Sequence, residues 1–393
     1  MRETMHVEFK KQFLEGATHQ FFAPGRINLI GEHVDYNGGH VFPAAITFGT
    51  YMLVRKRNDR TCRFYSMNFE ADGIIETSID QLIYREEDGW ANYPKAMLHY
   101  LMSHGDVTSG VDCLYYGNIP NGAGLSSSAS IELVSGYAFN TLYAIGLAPL
   151  DLVKIGQRAE NEYIGVNSGI MDQFAIGMGR KDYAMLLDCD TLECEYAPLN
   201  LNGMSIVIMN TNKRRELADS KYNERRAECD RALVCLQQEL NISALCDLDQ
   251  DMFETHRHLL TDDTLYRRAR HAVTENARTL EALEALKANE IDRFGQLMNE
   301  SHRSLDRDYE VTGIELNTLV EAAWENGAIG ARMTGAGFGG CAIALVHDQA
   351  VEQFIEQVQE TYTRKIGYAA TFYVASIGAG VHEVIEQVKG EVG

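Results

Sequence analysis

A glycine- and serine-rich turn set between a strand and a helix constrains this chain more than any other feature of its sequence. VDCLYYG (111–117) reads as a strand. IELVSGYAFNTLYAIG (131–146) reads as a helix, with Leu133, Tyr137, Ala138, Thr141 and Leu142 at three- and four-residue spacing. Between them lies PNGAGLSSSAS (120–130). Its glycines let the backbone come close to a ligand, and a helix start offers unpaired N–H groups and the positive end of the helix dipole. The turn therefore reads as an anion site. A serine-capped helix after a tight turn is the plainer reading of the same residues. No Gly-Lys-Ser/Thr closes it, so it is not a Walker loop, and without Gly-x-Ser-x-Gly it is not an esterase elbow.

A second glycine cluster, Gly335-Ala-Gly337-Phe-Gly339-Gly340, is followed by a strand, CAIALV (341–346). Dinucleotide binding requires strand, glycines and then helix, so the order argues against a nicotinamide enzyme. Other strands are expected at 49–57, 62–67, 184–189 and 204–211. Helices are expected at 223–240, at 266–288 with Val273, Ala277, Leu280 and Leu283 on one face, and from about Gln349. Strand-rich texture gives way to helix-rich texture near 190–205. The expected architecture is α+β in two lobes, 1–200 and 201–393, with the C-terminal end free to return to the first.

The formal charge is −21, from 35 basic and 56 acidic residues, which argues against nucleic acid as a partner. No run approaches the ~18 apolar residues of a membrane span. The segment MRETMHVEFKKQF lacks the apolar core of a signal peptide, so a cytoplasmic protein is expected. Eight cysteines without a C-x-x-C pair suggest neither a zinc cage nor a redox motif.

Two further segments carry chemistry. PGRINLIGEHVDYNGG (24–39) gathers Arg26, Glu32, His33, Asp35 and Asn37 around Ile27, Leu29 and Ile30, which read as buried anchors in a ligand loop. Its polar groups suit a polyol. AENEYIGVNSGIMDQFAIG (159–177) holds Glu160 and Asp172; taken singly, the first is an ordinary helix-surface acid and the second a helix cap.

Together, PGRINLIGEHVDYNGG, GAGLSSSAS, GIMDQF and MTGAGFGG, in this order, resemble the galactokinases of the GHMP family of small-molecule kinases. NTNKRRELADSKYNERRAECD (210–230) and SHRSLDRDYEV (301–311) extend the likeness over nearly the whole chain. The resemblance implies an N-terminal lobe like the second domain of ribosomal protein S5, a ferredoxin-like C-terminal lobe and an active site between them. It implies transfer of phosphate from ATP to the C1 hydroxyl of galactose, with Mg²⁺ as cofactor. Asp172 and Arg26 would be catalytic. Glu32, His33, Val34, Asp35 and Tyr222 would bind the sugar. Gly122, Ala123, Gly124, Leu125, Ser126, Ser127 and Ser128, with Ser66, would bind ATP, and Ser128 with Glu160 would hold the metal. The same family pattern leaves open a related acceptor such as N-acetylgalactosamine, or a non-catalytic galactose sensor. The unbroken Ser-Ser-Ala-Ser run, Asp172 and Arg26 speak against the sensor.

Overall fold

The computed structural model describes residues 1–120, 124–201, 203–213 and 218–385. The first lobe runs α1 (Arg2–Phe13), β1 (His19–Asn28), β2 (His40–Val41), β3 (Pro43–Lys56), β4 (Thr61–Ser66), β5 (Ile75–Ser78), α2 (Asn92–Leu101), β6 (Val111–Gly117), α3 (Ser127–Leu142), α4 (Pro149–Arg158), α5 (Met171–Met178), β7 (Tyr183–Asp188) and β8 (Cys194–Pro198). The second runs β9 (Met204–Asn210), α6 (Ala218–Leu236), α7 (Gln250–Thr255), α8 (Asp263–Lys287), α9 (Ile291–Ser304), α10 (Gly313–Glu325), β10 (Gly330–Thr334), β11 (Cys341–His347), α11 (Val351–Ile366) and β12 (Thr371–Ala375). A last short strand, β13 (His382–Glu383), pairs antiparallel with β1 and so lies in the first lobe.

A six-stranded sheet ordered β13-β1-β3-β6-β4-β5 forms the first lobe's frame. Alternation along β3 sends Met52 and Val54 to a core shared with α2 to α5, and Leu53 to the opposite face, where Met5, Phe9 and Phe13 of α1 cover it. In the second lobe an antiparallel sheet, β10-β11-β9-β12, is covered on both faces. Ala342, Ala344 and Val346 of β11 meet α10 and α11, whereas Cys341, Ile343 and Leu345 face a seam against the first lobe. Burial on both faces is why 206–209 and 341–346 are continuous apolar runs, without alternation.

The seam positions the site. Ile27, Leu29 and Ile30 are buried there with Ile206, Ile208, Leu283, Phe294 and Leu297. Each such side chain contributes roughly 1.5–3 kcal/mol when fully buried, so the polar loop after β1 hangs from a strong apolar anchor. Two local expectations change. The 24–39 segment is not all loop, because β1 runs through Asn28. Leu280 is 39% exposed; the buried line on α8 runs instead through Ala269, Ala272, Val273, Thr279, Ala282, Leu283 and Leu286, together with buried Arg268, His271 and Glu275. Polar residues inside that line broke the apolar period. Among the described residues no helix is long and apolar enough to cross a membrane.

Candidate active site

Arg26 is aimed by an irregularity in β1. The register against β3 shifts between Pro24 and Arg26, and such a bulge re-aims the side chains beside it. The guanidinium, only 4% exposed, donates from Nε to Asp172 Oδ1 at 2.7 Å and from Nη1 to the Gly124 carbonyl at 2.9 Å. Nη2 also lies 2.7 Å from Asp172 Oδ1. Asp172 stands in the first turn of α5, one position inside the helix, so it is not the cap. Its second oxygen accepts from Ser126 Oγ at 2.6 Å. Ser126, with a left-handed φ of 62°, precedes α3. Its hydroxyl is thus engaged with the carboxylate, unlike the phosphate contact that the resemblance implies for this residue.

The loop after β1 is tied to the second glycine cluster. Gly335, Gly337, Gly339 and Gly340 all have positive φ, a backbone path that side-chain-bearing residues rarely follow. This path connects β10 to β11 in a tight turn and brings the Gly335 N–H to Glu32 Oε1. Asn28 Nδ2 donates to the other Glu32 oxygen, and Arg332 lies 3.6 Å away. Burial raises the Glu32 pKa, opposed by Arg332 and Arg26. His33 has a left-handed φ of 60° and is held down to about 3, by burial first and then by His271, so its ring is neutral. Nε2 donates to the Ala336 carbonyl at 3.1 Å, leaving Nδ1 to accept from Tyr36 Oη at 2.8 Å. Both ring nitrogens are therefore spent within the protein, which departs from the expected sugar contact through them. Val34 is fully buried, and its carbonyl accepts from the N–H groups of Asn37 and Gly39.

Asp35 sits against Gly169, where an added Cβ would come within 1.8 Å of Asp35 Oδ2; only glycine leaves room for the carboxylate there. Burial, then Asp172 and Glu32, pushes Asp35 up to about 7. A folded pKa above the unfolded value of about 3.9 means that the folded state binds more protons from about pH 4 to 7. Stability of the ligand-free protein should therefore fall as pH rises through that window. Asp35→Asn should flatten this slope and raise the thermal midpoint above pH 7 by a few degrees. Thermal unfolding measured from pH 4 to 8 checks it, and an unchanged slope in the variant would contradict the assignment.

Arg26, Glu32, His33, Asp35, Ser128, Glu160, Asp172 and Tyr222 line one cavity of about 170 Å³. Val166, Ser168, Gly169, Met171, Gly335 and Ala336 complete its wall. All six lie within the quoted segments 159–177 and 333–340, but none was singled out as a binding residue. A second cavity of about 200 Å³ is lined by Ser66, Ser127 and Ser128 with Thr50, Asn68, Phe69, Trp90, Tyr93 and Tyr115. The two cavities share Ser128. In the second, Trp90 Nε1 is buried without a hydrogen-bond partner among the described residues. The fully buried Lys95 bonds Asp88 and Asn92, and Asn92 in turn bonds Gly89 O, which fixes the turn that carries Trp90. Leu125 is buried, its carbonyl accepting from Arg26 N at 3.2 Å. Gly122 and Ala123 lie outside the described residues.

Glu160 lies in a π-helical turn, Ala159–Ile164, and is buried, not a surface acid. Burial raises its pKa, opposed by hydrogen bonds from Ser168, Gln173 and Ser128. One carboxylate beside one hydroxyl suits Mg²⁺, which keeps phosphate oxygens and waters as its other ligands. Among the described residues no group of three or more His, Cys, Asp or Glu side chains is placed to hold a metal ion. The Ser128 and Glu160 donor set fits a cation that arrives with a phosphate.

The galactokinase galactose-binding signature matches residues 7–56, and the GHMP kinase N-terminal and C-terminal models match 92–180 and 282–364. A galactokinase of Exiguobacterium sibiricum is 59% identical over 388 residues, covering 98% of this chain and 99% of its own. The chain belongs to the galactokinase family. An Enterococcus faecalis galactokinase is likewise 59% identical, over 98% of this chain and all of its own. The crystal structure of Lactococcus lactis galactokinase complexed with galactose matches at TM-score 0.95 and 48% identity, over 98% of this chain and 100% of that one. A mevalonate kinase, 19% identical with TM-score 0.65 over 91% of this chain and 98% of its own, shares the fold alone. The chain thus has the GHMP kinase fold, with its N- and C-terminal domains.

Proposed function

We propose that this protein is a cytoplasmic galactokinase that moves the γ-phosphoryl group of ATP onto the anomeric hydroxyl of galactose. The products are galactose 1-phosphate and ADP, and the step commits galactose to breakdown. The observation that carries this reading is the junction of the two cavities at Ser128. A polyol fits the polar first cavity and a nucleotide the aromatic second, so the γ-phosphate and the acceptor hydroxyl would meet near Ser128, with Asp172 in the wall of the first. The eight free cysteines suit the cytoplasm.

In this reading Asp172 accepts the proton of the C1 hydroxyl as the new O–P bond forms and the bond to ADP breaks. Arg26 holds the carboxylate and can contact the transferring group. Glu32, Asp35 and Tyr222 bind sugar hydroxyls, with Gly169 leaving room for Asp35. The turn at 122–128 would cradle the phosphates through its backbone and the Ser127 and Ser128 hydroxyls, the Ser126 hydroxyl being held by Asp172, and Ser66 would lie beside the nucleotide. Ser128 and Glu160 would hold Mg²⁺, which neutralises phosphate charge when bound.

Phosphorus NMR of the product formed from galactose and ATP tests the reaction. A resonance of an anomeric phosphate is expected, and a 6-phosphate would refute the reading. Ser128→Ala and Glu160→Gln should each raise the Mg²⁺ concentration for half-maximal rate, by about 10-fold or more. Unchanged metal dependence in both would refute the metal assignment.

A further inference from the structure

Behind Glu160 lies a buried polar cluster that the catalytic reading does not use. Ser168 Oγ at 2.7 Å and Gln173 Nε2 at 2.9 Å both donate to the same Glu160 oxygen, Oε2. The second N–H of the Gln173 amide donates to Glu132 Oε2 at 3.0 Å. Glu132 and Gln173 are fully buried, in α3 and α5. Gln173 Oε1 and Glu132 Oε1 are buried and have no hydrogen-bond partner among the described residues. Orphaned buried oxygens cost stability and are rare in folded proteins. Here the arrangement tolerates two of them while keeping both amide hydrogens on carboxylates.

We propose that Gln173, anchored by Glu132 and assisted by Ser168, is a positioning residue that fixes the Glu160 carboxylate so that Oε1 is the oxygen offered to the metal–nucleotide complex. The inference rests on the reading of Glu160 as a metal ligand. Its logic is that of outer-shell donors generally: two hydrogen bonds on one oxygen set the carboxylate plane and leave the other oxygen for the cation. Glu132 works through Gln173. Any group at position 132 that presents an oxygen to the amide keeps the device, and an apolar group of similar size breaks it.

The test measures Mn²⁺ binding to the full-length protein with a non-hydrolysable ATP analogue, by electron paramagnetic resonance of free Mn²⁺. Gln173→Met and Ser168→Ala should each weaken Mn²⁺ binding, the first by about 10–100-fold. Glu132→Leu should follow Gln173→Met, whereas Glu132→Gln should stay within about two-fold of wild type. Galactose binding by calorimetry without nucleotide should be unchanged in Gln173→Met, Glu132→Leu and Glu132→Gln, neither position lining the sugar cavity, which separates positioning from general damage. If Gln173→Met and Ser168→Ala fold and bind Mn²⁺ like wild type while Glu160→Gln does not, the positioning role is overturned. If Glu160→Gln also binds normally, the metal assignment fails and this inference fails with it.

Discussion

Asp172→Asn should lower kcat by about 10²-fold or more while the nucleotide still binds, because the substitution removes the proton acceptor and leaves its size unchanged. The geometry sharpens the expectation. Arg26 meets Asp172 Oδ1 through two nitrogens, and Ser126 meets Oδ2, so both carboxylate oxygens are oriented before substrate arrives. An asparagine must turn its NH₂ toward one of these donors, which breaks the pattern on that side. It also removes the counter-charge of a guanidinium that is only 4% exposed. Losing one partner of a buried pair costs roughly 3–5 kcal/mol, reduced here because Asp172 itself is 28% exposed. The variant should therefore unfold at a lower temperature as well as turn over slowly. Single-turnover kinetics with calorimetric nucleotide binding separates the two effects. Near-normal turnover in a folded variant would end the general-base assignment.

Galactose should be used in strong preference to glucose, by about 10³-fold or more in kcat/KM, since sites built around a required hydroxyl discriminate by as much as about 10⁴-fold. The sugars differ only in the axial or equatorial 4-hydroxyl. Asp35, which the family resemblance assigns to that part of the ring, is locked against Gly169 and cannot follow a hydroxyl that points elsewhere. A buried polar group left without its partner costs about 1–3 kcal/mol, more when charged. Asp35→Ala should accordingly raise KM for galactose by about 10²-fold and leave KM for ATP within about two-fold. Initial rates on galactose, glucose and N-acetylgalactosamine decide the matter. Equal rates on galactose and glucose would refute the role given to this pocket, and a preference for N-acetylgalactosamine would move the enzyme to another acceptor.

Much of this was legible from local pattern, and the rest depended on distant packing. The turn at 120–130 announced a helix start because serine and glycine chemistry acts within a few residues, and α3 indeed begins at Ser127. Ile27, Leu29 and Ile30 read as anchors because three large apolar side chains set among charges gain most by leaving water, and all three are buried. His33 was less legible. Its ring is claimed by Ala336, 303 positions away, and by Tyr36, and no spacing encodes that. Trp90 and Tyr93 gave no signal, since an aromatic pair at the start of a helix looks like ordinary core. Glu160 looked like a surface acid because its π-turn, which rolls it inward, has no sequence signature.

The pairing of β13 with β1 ties the completion of the first lobe to residues made only after the whole second lobe. Phe21 meets Glu383 and Phe22 meets His382, while the neighbouring strand β3 is already present. Until those residues emerge from a ribosome, the Gln20–Phe22 stretch of β1 is an edge with open N–H and C=O groups, a template for another strand. A nascent chain stalled after β12 should thus be sticky in a way the finished protein is not, and the edge closes only after the second lobe has been synthesised. The first lobe's sheet thus stays unfinished for as long as the second lobe is being translated.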